Sequence, residues 1–352
     1  MNPLLKLARA EILALNPYSH AAWLPSLKRL HANEAPWRPH GDPTRMGLNR
    51  YPETQPHELI ERLAQLYGVS SHNVLATRGA DEAIDLLSRV YLNPGDAILQ
   101  PTPTFGMYQL CARLQAATVL ELPLRADRRW ALDADALLSM WQPHVKLVYL
   151  CSPNNPTSNS FDLGAVEAVC SALDGKAVVV LDEAYIEWSR FASLTRWLGR
   201  FQTLAIMRTL SKAHALAGAR LGALLAAPEL IQLAAKVIPP YALSQPTIEV
   251  ALEALGPDRQ LESQRKVEAL LLEREKLRRG LEHSPLVDKV WPSDANFLLV
   301  DCHDAERFMN NCKAAGYVVR DMRAYSVLPR SIRISVGTAE DTAAILNAVG
   351  GA

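Results

Sequence analysis

No charge of one sign dominates these 352 residues: lysine plus arginine and aspartate plus glutamate number 37 each. Without a basic stripe or a long single-sign block, neither nucleic acid nor an anionic membrane surface is an expected partner. Cysteine is scarce. Cys111, Cys151, Cys170, Cys302 and Cys312 are odd in number, widely scattered and without a CxxC pair, which excludes a disulfide framework and fits a reducing, cytoplasmic setting. The nine histidines show neither HExxH nor any other paired ligand spacing, so no metal is expected. No apolar run approaches the roughly 18 residues of a membrane span. The apolar stretch from Leu4 to Leu15 is interrupted by Lys6, Arg9 and Glu11, and it reads as an amphipathic arm rather than a secretory signal.

What is present is enough apolar material for a large core, 49% of the residues, in a chain longer than one usual domain. Short apolar segments at 73–77, 97–100, 118–122, 146–151, 177–181, 203–207 and 222–226 alternate with helical stretches. Runs as apolar as Ala-Val-Val-Val-Leu181 belong in a sheet covered on both faces. The fold class is therefore α/β: a large domain, residues 36–255, with a mostly parallel sheet covered by helices. A long charged helix over about 263–283 leads to strands at 297–300, 317–320 and 331–336 with helices after Asp304 and Ala339. That unit is a smaller α+β domain, residues 256–352, joined by the N-terminal arm, 1–35. Residues 31–50, rich in Pro, Asn, Gly and Arg, form a long loop.

In parallel sheets ligands collect beyond the carboxyl ends of the strands, and the unusual residues fall there. Met207-Arg-Thr-Leu-Ser-Lys-Ala-His-Ala-Leu-Ala-Gly-Ala-Arg220 sets Lys212 among small apolar neighbours with a second cation close by. Desolvation and like-charge repulsion favour its neutral, nucleophilic amine. Thr209, Ser211 and Arg220 offer hydroxyls and a guanidinium fork suited to a phosphate. Arg78-Gly-Ala-Asp-Glu82 opens a helix whose free N–H groups attract an anion, unless Asp81 serves only as the cap. Phe105, after Pro101-Thr-Pro-Thr, is an aromatic plate or a core residue, with Tyr108 nearby. Cys151-Ser-Pro-Asn-Asn-Pro-Thr157 holds Asn155 in a segment read as extended. Asp182 ends the most apolar strand, where a carboxylate needs a cation such as a protonated ring nitrogen, an arginine, or a helix to cap. Tyr185 can hydrogen-bond a second point on the same ring. Arg333 in Ile332-Arg-Ile-Ser-Val336 faces solvent, a partner or an anion.

An amine, a phosphate cradle, an aromatic plate, a carboxylate and a phenol are the parts of a pyridoxal 5'-phosphate site. The chain resembles the class I and II aminotransferases of fold type I. The resemblance is carried by His31-Ala-Asn-Glu-Ala-Pro36, Asn49-Arg-Tyr-Pro-Glu53, Arg78-Gly-Ala-Asp-Glu-Ala-Ile84, Pro103-Thr-Phe-Gly-Met-Tyr108, Ser152-Pro-Asn-Asn-Pro-Thr157, Leu181-Asp-Glu-Ala-Tyr185, Thr209-Leu-Ser-Lys-Ala-His-Ala-Leu-Ala-Gly218 and Arg333-Ile-Ser-Val-Gly-Thr338, in the family's order across nearly the whole chain. Within the group it is most similar to members acting on histidinol phosphate, with 2-oxoglutarate and glutamate as the exchanging pair.

The resemblance implies that Lys212 bonds the cofactor and shuttles the proton, Asp182 holds the ring nitrogen, and Tyr185 and Asn155 hold its phenolic oxygen while Phe105 stacks on the ring. It implies that Ala80 and Asp81 backbone groups, Thr209, Ser211 and Arg220 bind the phosphate, and that Tyr51 reaches the phosphate of a neighbouring subunit in a homodimer with shared sites. Arg333 and Arg320 match positions gripping the substrate's anionic end, and Asn33 lies in the substrate-covering segment. Three positions depart from the family pattern: Ser158 stands at the usual glycine, Ala35 at a common Asn, and His214 where an aromatic ring is frequent, read here as packing. The same fold also serves aromatic amino acid aminotransferases and a phosphothreonine decarboxylase. The joint presence of Lys212, Asp182, Tyr185 and Arg220 argues against a non-catalytic binding protein, and no G-x-G-x-x-G motif supports a nicotinamide enzyme.

Overall fold

The computed structural model describes residues 2–19, 21 and 27–351. In chain order the first elements are α1 (Pro3–Leu7), α2 (Ala10–Ala14), α3 (His57–Tyr67), β1 (Val74–Thr77), α4 (Gly79–Tyr91), β2 (Ala97–Thr102), α5 (Met107–Leu114) and β3 (Thr118–Pro123). Next come α6 (Ala134–Ser139), β4 (Val145–Cys151), α7 (Leu163–Leu173), β5 (Val178–Asp182), β6 (Leu204–Thr209), β7 (Gly222–Ala226), α8 (Pro228–Val237) and α9 (Gln245–Ala254). The chain ends with α10 (Pro257–Glu282), β8 (Val287–Val290), β9 (Phe297–Cys302), α11 (Ala305–Ala314), β10 (Arg320–Asp321), β11 (Ser331–Ser335) and α12 (Ala339–Val349).

Seven strands form one sheet in the order β1-β7-β6-β5-β4-β2-β3. β3, β2, β4, β5 and β6 run parallel, and β7 lies antiparallel between β6 and β1. Burial on both faces follows from the two-residue period of a strand: Val179 and Leu181 enter one core, while Val178 and Val180 enter the other. Each such side chain contributes about 1.5–3 kcal/mol on burial, which explains why the central strands carry almost no polar residue before their last position. β2, β4, β5, β6 and β1 all end at one edge, so the sequences after them converge. Gly222, opposite both Thr77 and Thr209, makes that edge compact: a Cβ there would lie 2.9 Å from Ala80 N.

The second sheet is antiparallel, β10-β11-β9-β8, and its core is filled by Leu277 and Leu281 of α10, Phe308 and Cys312 of α11, and Ile345 and Val349 of α12. A smaller cluster of Ala184, Tyr185, Trp188, Ala295 and Phe297 joins the two sheets. The arm forms α1 and α2, with Leu4, Ala8 and Ile12 buried in the large core at a four-residue spacing.

Several elements differ from expectation. α10 begins at Pro257, a residue suited to the first helical position, six residues before the apolar spacing becomes visible. α9 was not foreseen; Ser244 caps it by accepting from Thr247 N–H. β8, with its polar centre Asp288-Lys289, was also missed. The strand expected at 317–320 shrinks to Arg320–Asp321 because only these residues pair with β11, leaving Val318 93% exposed. The segment after Cys151 turns back rather than running extended: Ser158 N–H donates to Asn154 O at 2.8 Å and Asn154 N–H to Asn159 O at 2.8 Å. Among the described residues no helix is long and apolar enough to cross a membrane.

Candidate active site

A cleft of about 680 Å³ opens at the carboxyl edge of the large sheet and is closed on its far side by β10, β11 and their connection. It is lined by Ala80, Asp81, Phe105, Asn155, Asp182, Tyr185, Thr209, Ser211, Lys212, Arg220, Arg320 and Arg333. One wall is the first turn of α4, whose N–H groups lack intrahelical partners. Gly79 adopts φ +75, and a Cβ on it would sit 2.8 Å from Arg220 Nη2, so glycine is what lets the guanidinium lie against the turn. Arg220 also reaches Ser211 Oγ at 3.5 Å and the Ala217 carbonyl at 3.2 Å. Asp81 does not cap α4. The N-cap residue is Arg78, and the Asp81 carboxylate instead pairs with Arg220 at 2.9 Å.

Asp182 is buried at the end of β5. Tyr108 Oη donates to its Oδ2 at 2.6 Å and Ala184 N–H to its Oδ1 at 3.0 Å. Burial pushes its pKa up, while these two donors and Lys212 work the other way. A cation at a ring nitrogen would complete the compensation. Tyr108 stacks on Tyr149 with centroids 4.5 Å apart and meets Phe105 edge-on at 5.7 Å, so Phe105 lines the cleft with its ring braced from behind. Tyr185 packs edge-on against Phe297 at 5.1 Å. Arg333 Nη1 donates to Asn155 Oδ1, which commits the amide oxygen and turns Asn155 Nδ2 toward Tyr185 Oη, 3.5 Å away.

Lys212 is exposed to the cleft, with its Nζ 5.6 Å from the centre of the Tyr185 ring. Its pKa lies below the ordinary lysine value, first because the cleft walls desolvate the ammonium and then because Arg333 and Arg220 repel it. Arg320 and Arg333 are directly opposite each other on β10 and β11. Like charges in that relation are unfavourable, and burial together with Arg320 depresses the Arg333 pKa. Both guanidinium groups line the cleft, where they offer donors to an anionic group.

Twelve of the residues singled out in the sequence thus share one cavity. Asn33 and Tyr51 do not line it. Asn33 sits in its loop at φ +56, and Tyr51 stacks on Tyr241 with centroids 4.6 Å apart. Ser158 takes φ +62, the left-handed region that explains the usual glycine, and Asn155 nevertheless stays in the cleft. His214 faces away, among residues of α9 and α10. Sequence reasoning did not assign roles to Tyr108, which grips Asp182, or to Tyr325, whose Oη donates to the Thr104 carbonyl across the cleft at 3.1 Å. It also missed the buried Glu183–Arg208–Glu187 group that ties the ends of β5 and β6. Tyr108 was detectable as the i+3 neighbour of Phe105; the others depend on long-range contacts.

The residues fit pyridoxal 5'-phosphate: a buried carboxylate needing a cation, an amine of lowered pKa and an anion cradle line one cleft. This fold and site define a pyridoxal-phosphate-dependent enzyme of fold type I. The sequence profile of aminotransferase class I and II matches residues 22–349. A histidinol-phosphate aminotransferase of Stenotrophomonas maltophilia is 42% identical over 355 residues, covering 99% of this chain and 97% of that protein. One from Xanthomonas campestris pv. campestris is 44% identical over 324 residues, 91% of this chain and 89% of that one. The crystal structure of the Sinorhizobium meliloti histidinol-phosphate aminotransferase in complex with pyridoxal-5'-phosphate has the same fold, with TM-score 0.77 at 24% identity over 85% of this chain and 82% of that one. The chain belongs to the class I and II aminotransferases.

Proposed function

We propose that this enzyme transfers an amino group between L-histidinol phosphate and 2-oxoglutarate, giving imidazole acetol phosphate and L-glutamate, in the cytoplasmic biosynthesis of histidine. The observation that carries the substrate reading is the cross-strand pair Arg320 and Arg333 in the cleft. Both exchanging substrates end in an anion, a phosphate on one and a side-chain carboxylate on the other, and a guanidinium fork accepts either. The names of the relatives support the same substrates.

Bound pyridoxal phosphate supplies an electron sink for the carbon that loses its proton. In this reading the Lys212 amine would hold the cofactor, and the same amine, once free, would move the proton at the substrate carbon. Its lowered pKa keeps part of the amine neutral and able to accept. Asp182, held by Tyr108 and Ala184, would keep positive charge at the ring nitrogen. Tyr185 and Asn155 would donate to the ring's oxygen, and Phe105 would pack against the ring. The α4 turn, Thr209, Ser211 and Arg220 hold the phosphate; hydrogen bonds to charged groups contribute about 1.5–3 kcal/mol each, enough in combination to keep the cofactor when Lys212 is not bonded to it.

The functional unit in this reading is a homodimer in which Tyr51 reaches the partner's phosphate cradle. Tyr51 lies outside its own cleft and half exposed, in a segment that also exposes Leu30 (84%) and Trp37 (72%). Residues 36–255 and the two flanking segments act as the two bodies between which the cleft opens. Asn33, with the 31–36 loop, covers the substrate. The test is the visible spectrum of the purified holoenzyme on titration with L-histidinol phosphate and, separately, L-phenylalanine. Conversion of the lysine-bound cofactor to its amine form at far lower histidinol phosphate concentration supports the assignment. Preference for phenylalanine replaces it with an aromatic amino donor.

A further inference from the structure

The phosphate cradle contains a carboxylate. Asp81 Oδ2 lies 2.9 Å from Arg220 Nη2, while Arg220 Nη1 is shared between Ser211 Oγ and the Ala217 carbonyl. Both ends of the fork are therefore engaged, and the Gly79 backbone lies close against Nη2. A phosphate dianion seated on this fork must take the place of the Asp81 carboxylate or share Nη2 with it, and the two anions repel. Asp81 cannot be dismissed as a helix cap, since it accepts no hydrogen bond from the first turn. Its pairing links α4 to the loop carrying Lys212.

We propose that Asp81 is an internal competitor for Arg220, an anion that phosphate displaces or must share the fork with, and that it thereby limits how tightly the phosphate end of the cofactor is held. The inference rests on the cleft being the pyridoxal phosphate site. Its consequence falls on the amine form of the cofactor, which has no bond to Lys212 and is retained by the phosphate end.

The test compares full-length wild type with Asp81→Asn, which keeps size and removes charge, and with Asp81→Ser in case the amide perturbs the helix. Cofactor-free proteins of equal thermal midpoint are titrated with inorganic phosphate, pyridoxal 5'-phosphate and phosphate-free pyridoxal, following protein fluorescence and the absorbance of the lysine-bound form. Removing one exposed ion pair and one like-charge contact lowers the Kd for phosphate and for pyridoxal phosphate by roughly three- to tenfold. Release of the amine-form cofactor slows by a similar factor, and the affinity for pyridoxal, which feels Asp81 only through the charge it places near Lys212, gains clearly less than that for pyridoxal phosphate. Equal or weaker phosphate binding by both variants overturns the proposal and makes Asp81 an aligner of Arg220. A matching gain for pyridoxal also overturns it, because the effect then lies elsewhere. A wild-type chain that bound neither phosphate nor pyridoxal phosphate would overturn the reading of the cleft itself.

Discussion

Replacing Tyr108 with Phe isolates the hydrogen bond that grips Asp182. The ring stays, with its stacking on Tyr149 and its edge contact to Phe105, and only the donor to Oδ2 at 2.6 Å is lost. Asp182 is 3% exposed, so water does not replace the donor and Ala184 N–H alone remains. A hydrogen bond to a charged group is worth about 1.5–3 kcal/mol. If the full amount is lost from the charge held at the ring nitrogen in the transition state, the first half-reaction slows roughly ten- to hundredfold, at 1.36 kcal/mol per decade. Single-turnover absorbance at saturating amino donor measures it, with the apparent donor affinity expected within about twofold of wild type. The pH dependence has a defined sign. Burial raises the Asp182 pKa, so in the cofactor-free protein its ionisation opposes folding above the ordinary aspartate value, and stability is lost as pH rises through the folded value. Tyr108→Phe moves that loss to higher pH, and cofactor binding reverses it. An unchanged half-reaction rate in a variant that has lost stability would refute the catalytic part of the reasoning and leave the bond purely structural.

Lys212→Ala should bind pyridoxal phosphate noncovalently and lose steady-state transamination; substantial turnover by that variant would sink the role given to the amine. Arg333→Lys keeps the charge and loses the fork that spans Asn155 and the substrate, so KM for both exchanging substrates should rise about ten- to hundredfold with a smaller change in kcat, the size of one charge-assisted bidentate contact. Glu34 is a buried carboxylate between Arg50 and Arg29 that also accepts from Tyr51 N–H at 2.7 Å. Burial pushes its pKa up, but Arg50, the Tyr51 amide and Arg29 outweigh it and the net shift is downward. Its stabilisation is complete above the ordinary glutamate value of 4.5 and is lost as pH falls through the depressed folded value. Hydrogen exchange in residues 29–51 should accelerate in that acid window before the sheet opens, and Glu34→Gln should show fast exchange there already at neutral pH.

The large sheet was legible because its strands are buried on both faces, which the run ending at Leu181 announces locally, and because Gly68, Gly79 and Pro239 punctuate it by backbone rules that need no tertiary contact. The second sheet was harder. β8 and β10 are short, polar and held by their neighbours, so their pattern has no period to read. The start of α10 has no apolar period to read, because its first turn, Pro-Asp-Arg-Gln, is almost all polar and largely exposed.

Residue types at strand ends were determined by the sequence alone: an amine among small neighbours, a carboxylate after five apolar residues, hydroxyls and a fork within one segment. Which partner each would meet was decided only by the tertiary structure. Asp81 could have capped its helix, yet the chain entering β7 brings Arg220 to it; Tyr108 is core, yet the packing of α5 also sets its hydroxyl on Asp182. Arg320 and Arg333 are thirteen positions apart in the chain and face each other only because β10 pairs with β11. Local chemistry follows from side-chain type, whereas charge pairing over 2–3 Å follows from strand register, which no single segment contains.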